Sequence, residues 1–223
     1  MISNRNFKPI LSAIVLGLVA ACSDTNSPDQ PDLSDVTFGL QRSEATSARI
    51  SEFLLLSANG QSMAIAPDTV ASLTITVDGI QALPLLNDNE EEDDAAWVSI
   101  DLAQPVAIDF TALPTTDESP LILASGTLAE GGYTNVRLFV SGAVIVFKGP
   151  LDLGAAISFA GNVEHAVTIP SVEQTGIKTD MAFNVLADTE VTLVFDEAAS
   201  YSNVTLTGNG QVILAPVIRS SGN

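Results

Sequence analysis

Apolar and polar positions alternate with a period of two along most of this chain, the pattern of strands that bury one face. The sharpest case is 131–140, where a Gly-Gly turn feeds Tyr133 and the alternation follows. Val136, Leu138 and Val140 fall on one face; Asn135, Arg137, Phe139 and Ser141 fall on the other. The same period predicts strands over 36–41, 72–83, 97–101, 106–110, 121–128, 163–169, 181–186, 191–195 and 211–218. Ser141-Gly142 reads as a hairpin turn leading into a further strand over 143–147. Residues 44–58 read two ways. Ala45, Ala48, Ile50, Phe53 and Leu56 make a helical stripe, whereas 50–56 also fits a strand before an Asn59-Gly60 turn. The strand fits its neighbours slightly better.

About ten strands, punctuated by Gly, Asn, Asp and Pro turns and without a long helix, predict an all-β, antiparallel β-sandwich. Apolar residues make up 46% of the 223, enough for one sizeable core. With no internal repeat and no interior linker, 36–220 reads as a single domain.

The first 21 residues stand apart. Arg5 and Lys8 precede an uncharged run over 10–21, too short to cross a bilayer as a helix. It ends Leu18-Val19-Ala20-Ala21-Cys22, which closely resembles the lipobox of bacterial lipoproteins. The resemblance implies a signal peptide over 1–21 and lipid on Cys22, with several acyl chains giving a stable membrane anchor. Ser23 rather than Asp after the cysteine favours the outer membrane, by analogy with the enterobacterial sorting rule. Residues 22–35 carry Asp, Pro and Ser without a basic residue, the composition of a disordered acidic tether.

Charge narrows the partners. The formal net charge is −19, and removing Arg5 and Lys8 with the leader makes it −21. Such a surface repels nucleic acid and anionic headgroups. The lone cysteine, Cys22, excludes an intrachain disulfide and thiolate-rich zinc sites.

Three segments resemble the bacterial lipoprotein domain-of-unknown-function family numbered 4382. Leu128 to Leu138 is similar to its L-x-x-G-x-Y-x-x-[IV]-R-L, and Pro170-Ser171 through Gly176-Ile177-Lys178 to its P-S-x-x-x-x-G-[IL]-K. Leu214-Ala215-Pro216-Val217-Ile218-Arg219 is similar to its closing L-x-P-x-I-[RK], and Trp97 sits where the family often has a tryptophan. The resemblance covers about 60–220. It departs at Ala64-Ile65-Ala66-Pro67, where the family usually opens Thr-Asp-Ala-Pro. It implies a transthyretin-like or immunoglobulin-like sandwich on a lipid anchor, and no activity.

Candidate site residues follow from pattern and resemblance together. Tyr133, after the Gly turn, fits a tyrosine corner. Arg137 is expected on the face away from Val136, pairing with a surface carboxylate. Pro170 and Gly176 bound a loop between two strands. Ser171 lacks a G-x-S-x-G setting, and the single imidazole, His165, lies six residues upstream, so a Ser-His-acid triad finds no support. One histidine excludes multi-histidine metal sites. The run 87–94 holds six carboxylates and no Gly, and reads as a solvated loop with weak calcium association at most. No catalytic residue, metal site or cofactor is expected beyond the lipid on Cys22. The leading expectation is a non-catalytic, lipid-anchored envelope module that binds a protein or glycan partner. The alternatives are a carboxylate-based hydrolase and a purely structural envelope module.

Overall fold

The computed structural model describes residues 32–43, 65–85, 96–152, 158–170, 172–207 and 210–220. The expected signal peptide over 1–21, Cys22, the reading of 44–58 and the acidic run 87–94 all lie outside the described residues. All described residues belong to one compact unit, Pro31–Asn223.

The chain folds as an all-β sandwich. One sheet has four strands: β1 (Leu33–Arg42), β5 (Leu121–Ala129), β11 (Thr189–Phe195) and β14 (Ile218–Ser220), in the order β14-β11-β1-β5. The larger sheet is built on two long strands, β2 (Val70–Pro84) and β6 (Gly131–Phe147), which pair antiparallel along nearly their whole lengths. Outside β2 lie β3 (Val98–Ile100) and β4 (Val106–Asp109), end to end. Outside β6 lie β9 (Glu164–Thr168) and β10 (Ile177–Val185), also end to end. Beyond β9 the sheet continues through β13 (Val212–Leu214) to β12 (Val204–Leu206). A small hairpin pairs β7 (Leu151–Asp152) with β8 (Ser158–Phe159). Among the described residues two short α-helices interrupt the strands, α1 (Val172–Thr175) and α2 (Glu197–Ser202).

The core lies between the sheets. Phe38 of β1 meets Phe183 of β10 edge-on at 6.2 Å, and Phe110 meets Phe195 of β11 edge-on at 5.1 Å. Alternation is why these strands form here: in β1, Val36, Phe38 and Leu40 are buried and fall every second residue.

Several expectations need correction. The sheets are not purely antiparallel, because β1 pairs parallel with β11 and β9 parallel with β13. Local alternation carries no information on which strands meet, so direction was not readable. Leu33–Asp35, expected within a disordered tether, belongs to β1, paired with β5 at Leu33↔Ala129 and held by Ser34 Oγ donating to Glu130 Oε1 at 2.7 Å. The segment 211–218 is two strands, β13 and β14, parted around Pro216, whose ring cannot donate to a ladder.

The largest difference falls at Ser141-Gly142, where no hairpin forms and β6 runs straight on. Instead both long strands carry a bulge at the same crossing. Thr76 pairs Gly142 while Val77 pairs Val140, so Ser141 is the extra residue of β6. Val77 pairs Val140 while Gly79 pairs Phe139, so Asp78 is the extra residue of β2. Each bulge shifts the alternation by one. In β2 the buried set passes from Leu73, Ile75 and Val77 to Ile80 and Ala82. In β6 it passes from Val136, Leu138 and Val140 to Ala143, Ile145 and Phe147. The apolar set therefore stays on the core side along the full length of both strands.

Candidate binding surface

The first half of β6 is closed on both edges and covered. Arg137 of β6 pairs across β2 with Gln81 and across β10 with Lys178, while Gln81 pairs with Ser99 of β3. This forms a polar rung over four strands. Arg137 Nε donates to Gln81 Oε1 at 2.6 Å, and Gln81 Nε2 donates to Ser99 Oγ at 2.9 Å. The Arg137 guanidinium lies 4.3 Å from the Trp97 ring centroid and 5.0 Å from that of Phe139. The Lys178 ammonium stands 5.6 Å from the Trp97 ring. Both cations gain from the negative face of the indole. One rung further, Asn135 Nδ2 donates to Asp180 Oδ1 at 2.6 Å. Arg137 is thus not the surface residue expected from alternation. It is 6% exposed, under an indole that is itself 8% exposed.

At the start of β6, Tyr133 stacks on Phe183 with centroids 5.1 Å apart, and its hydroxyl donates to Ala129 O at 3.0 Å across the Gly131 turn. Gly131 takes a φ of +139° there, a conformation that L side chains rarely adopt. Burial raises the Tyr133 phenol above its ordinary value.

The loop from Pro170 to Gly176 is tighter than a plain connection. It contains the single turn of α1, with Gly176 N donating to Val172 O. Gly176 has φ +68°, and a Cβ there would sit 2.7 Å from Leu138 O. Only glycine lets the chain pass this close to β6.

Beside that loop the sheet opens. β10 ends its pairing with β6 at Ile177↔Leu138, and the pairing with β9 starts at Ala166↔Val144, β9 itself running on to Thr168. Between them lies a groove of about 870 Å³. Its floor is Phe139, Ser141 and Gly142 of β6, with Asp78 on one side and Val167, Thr168 and Pro170 on the other. Ser141 Oγ donates to Asp78 Oδ1 at 2.8 Å, so the two bulged residues brace each other at the groove. Asp78, Ser141, Gly142, Thr168 and Pro170 are exposed. Asp78 is the one carboxylate, and no Lys or Arg occurs, among the described lining residues.

A second polar cluster is buried at another end of the core. Arg42 Nη1 approaches Glu197 Oε2 at 3.4 Å, and Arg42 Nε donates to Leu113 O at 3.0 Å. Burial raises the Glu197 carboxyl above the usual range, opposed by Arg42. Tyr201, 1% exposed, has no partner for its hydroxyl among the described residues. Burial pushes its phenol well up, and the carboxylates of Glu197 and Asp109 add to the shift. His165 is held structurally: Nε2 lies 2.9 Å from Ala160 O, and the ring packs against Phe147 and Phe159.

The family described as Domain of unknown function (DUF4382) matches residues 62–216. The chain belongs to the DUF4382 family. No curated protein and no solved structure matches it. Trp97, Tyr133, Arg137, Pro170, Gly176 and Lys178, drawn from three separate stretches of this DUF4382 chain, converge on the closed half of β6 and the adjoining loop. Asp78, Ser141 and Thr168 were not singled out by the sequence. The signal that could have found them is the change of phase of the apolar positions at Asp78-Gly79 and again at Ser141-Gly142. Among the described residues no helix is long and apolar enough to cross a membrane, and no group of three or more His, Cys, Asp or Glu is placed to hold a metal ion.

Proposed function

We propose that this DUF4382 chain is a non-catalytic binding module, tethered to the outer membrane of the bacterial cell envelope by lipid on Cys22. The observation that carries the reading is the groove at the double bulge. It is concave, half apolar in character through Phe139, Val167 and Pro170, and furnished with Ser141, Thr168 and Asp78 for polar recognition. Two-carboxylate glycoside hydrolysis uses a facing pair, whereas Asp78 stands without a second carboxylate among the described lining residues. The Ala21-Cys22 junction supports the anchor. The negative charge of the body supports a partner that is neither nucleic acid nor anionic lipid headgroup. A protein or a glycan remains as the partner class.

Two experiments test this. Palmitate labelling of cells making the whole chain should mark a band that disappears in Cys22→Ser; persistent labelling would contradict the anchor. A photo-crosslinking amino acid at Thr168, in intact cells, should give discrete adducts that the same probe at Thr37, on the other sheet, does not. Equal adduct patterns from both positions would contradict a binding role for the groove.

A further inference from the structure

The groove at the double bulge has a chemistry as well as a shape. Its volume of about 870 Å³ falls in the range of sites that enclose small ligands. A stable protein interface needs roughly 800 Å² from each partner, a different class of surface. Its polar side chains are oxygen groups. Ser141 and Thr168 carry hydroxyls, which both donate and accept, while the Asp78 carboxylate accepts. No Lys or Arg among the described lining residues attracts an anion. Its apolar part holds an aromatic ring: Phe139 is half-buried on the floor, with the Arg137 guanidinium 5.0 Å from the ring centroid. Ring and carboxylate are both held before any ligand arrives, Phe139 against Arg137 and Asp78 Oδ1 by Ser141 Oγ at 2.8 Å. Groups held in place lose little freedom on binding. Beside Ser141, Gly142 is exposed, and a Cβ there would meet nothing within 4 Å. That part of the floor is bare main chain with room above it.

We propose that the groove binds a short stretch of an uncharged glycan, which rests on the binding-module reading above and names its ligand class. Sugar rings present the two kinds of surface that this lining complements. Their hydroxyls each donate and accept, as those of Ser141 and Thr168 do, and a carboxylate such as Asp78 can accept from two neighbouring hydroxyls at once. Their apolar C–H faces suit the negative face of an aromatic ring, here Phe139, and the apolar ring of Pro170. The bare main chain at Gly142 lets a sugar ring lie close to the floor, where a side chain would take its place. Charge sets the limit. An acidic glycan would bring its own anions to Asp78, on a chain of formal charge −19. A basic peptide would be drawn to Asp78 by charge, and its binding would weaken with salt; binding of an uncharged glycan would not.

The test uses the intact chain in lauryldimethylamine oxide, a detergent without a sugar headgroup, and the uncharged hexasaccharides cellohexaose, maltohexaose and chitohexaose. Saturable binding of at least one of them, with Kd below about 1 mM, is expected. That Kd should stay within about twofold between roughly 0.05 and 0.5 M salt. The acidic hexagalacturonate should bind at least about tenfold more weakly. Gly142→Leu should keep the melting temperature and lose the sugar, because its side chain has room in the fold and fills the groove. Asp78→Asn should weaken binding by about three- to tenfold. Phe139→Leu, which keeps an apolar side chain and removes the ring, should weaken it by about two- to tenfold. Binding of none of the three sugars, affinity that falls steeply with salt, hexagalacturonate bound as well or better, or unchanged binding to Gly142→Leu would each overturn the glycan site. Discrete protein adducts from the Thr168 probe, with no hexasaccharide bound, would overturn the glycan and leave the binding-module reading standing with a protein partner.

Discussion

The two stretches of β6 on either side of Leu138 are built from similar residues and serve opposite ends. Up to Leu138 the strand is paired on both edges, and Arg137 is covered by Trp97. From Phe139 to Ala143 it is paired on one edge and open to a groove. Trp97, Tyr133, Arg137, Gly176 and Lys178, from two of the family's motifs and the tryptophan position, gather at the closed stretch, where their hydrogen bonds, ring contacts and close approaches are satisfied within the fold; Pro170 lines the groove, and the third motif lies on β13 and β14. A motif arginine or tryptophan is thus weak evidence for a ligand here, because each already has a partner in the sheet. Capacity for a ligand sits where the strands change phase and the sheet opens into the groove.

The comparison breaks most visibly if the closed stretch is not the stabilising one. Trp97→Ala removes a buried indole from over Arg137 and should cost about 3 kcal/mol by urea denaturation. Gly142→Leu in the open stretch should stay within roughly 0.5 kcal/mol. Equal costs would erase the distinction.

A smaller effect separates the two buried tyrosines. Tyr133→Phe breaks the bond to Ala129 O and leaves that carbonyl short of a partner, which should cost about 1 to 3 kcal/mol. Tyr201→Phe removes a hydroxyl without a partner among the described residues and should be neutral or stabilising. The same denaturation midpoints decide this, and the reverse order would contradict the corner geometry.

The smallest effect is in pH. The Glu197 carboxyl is raised in the folded chain, so the folded state holds its proton more firmly than the unfolded state. Stability from this group is present below the unfolded value of about 4.3 and is lost as pH rises through the raised folded value. Glu197→Gln should remove that part of the slope. An unchanged slope in the variant would show that Glu197 titrates normally.

Much of the fold was legible because alternation is local. Leu73 through Val77 and Val136 through Val140 announce their strands and inward faces without help from the rest of the chain. What escaped was set by distant pairing. The phase change at Ser141 looks like a turn in isolation, and becomes a bulge only because Asp78 changes phase opposite it. Arg137 looked exposed because alternation assigns a face and says nothing of what covers that face; Trp97 arrives from a separate stretch. The parallel neighbours of β1 and β9 left no local trace. α2 did leave one: Asp196 caps it by accepting from Ala199 N at 2.9 Å, an Asp before Glu-Ala-Ala that could have been read as a helix start.

The claim that β6 is closed up to Leu138 and open beyond it is tested most directly by residue-resolved hydrogen exchange on the intact, ligand-free chain. Amides paired to β10 within residues 132–138 should exchange only with global unfolding. Within residues 139–143, the amides facing β2 should share that protection, while those facing the groove should exchange at least roughly a thousandfold faster. Uniform protection from 132 to 147 would contradict the account, because the edge would then already be filled.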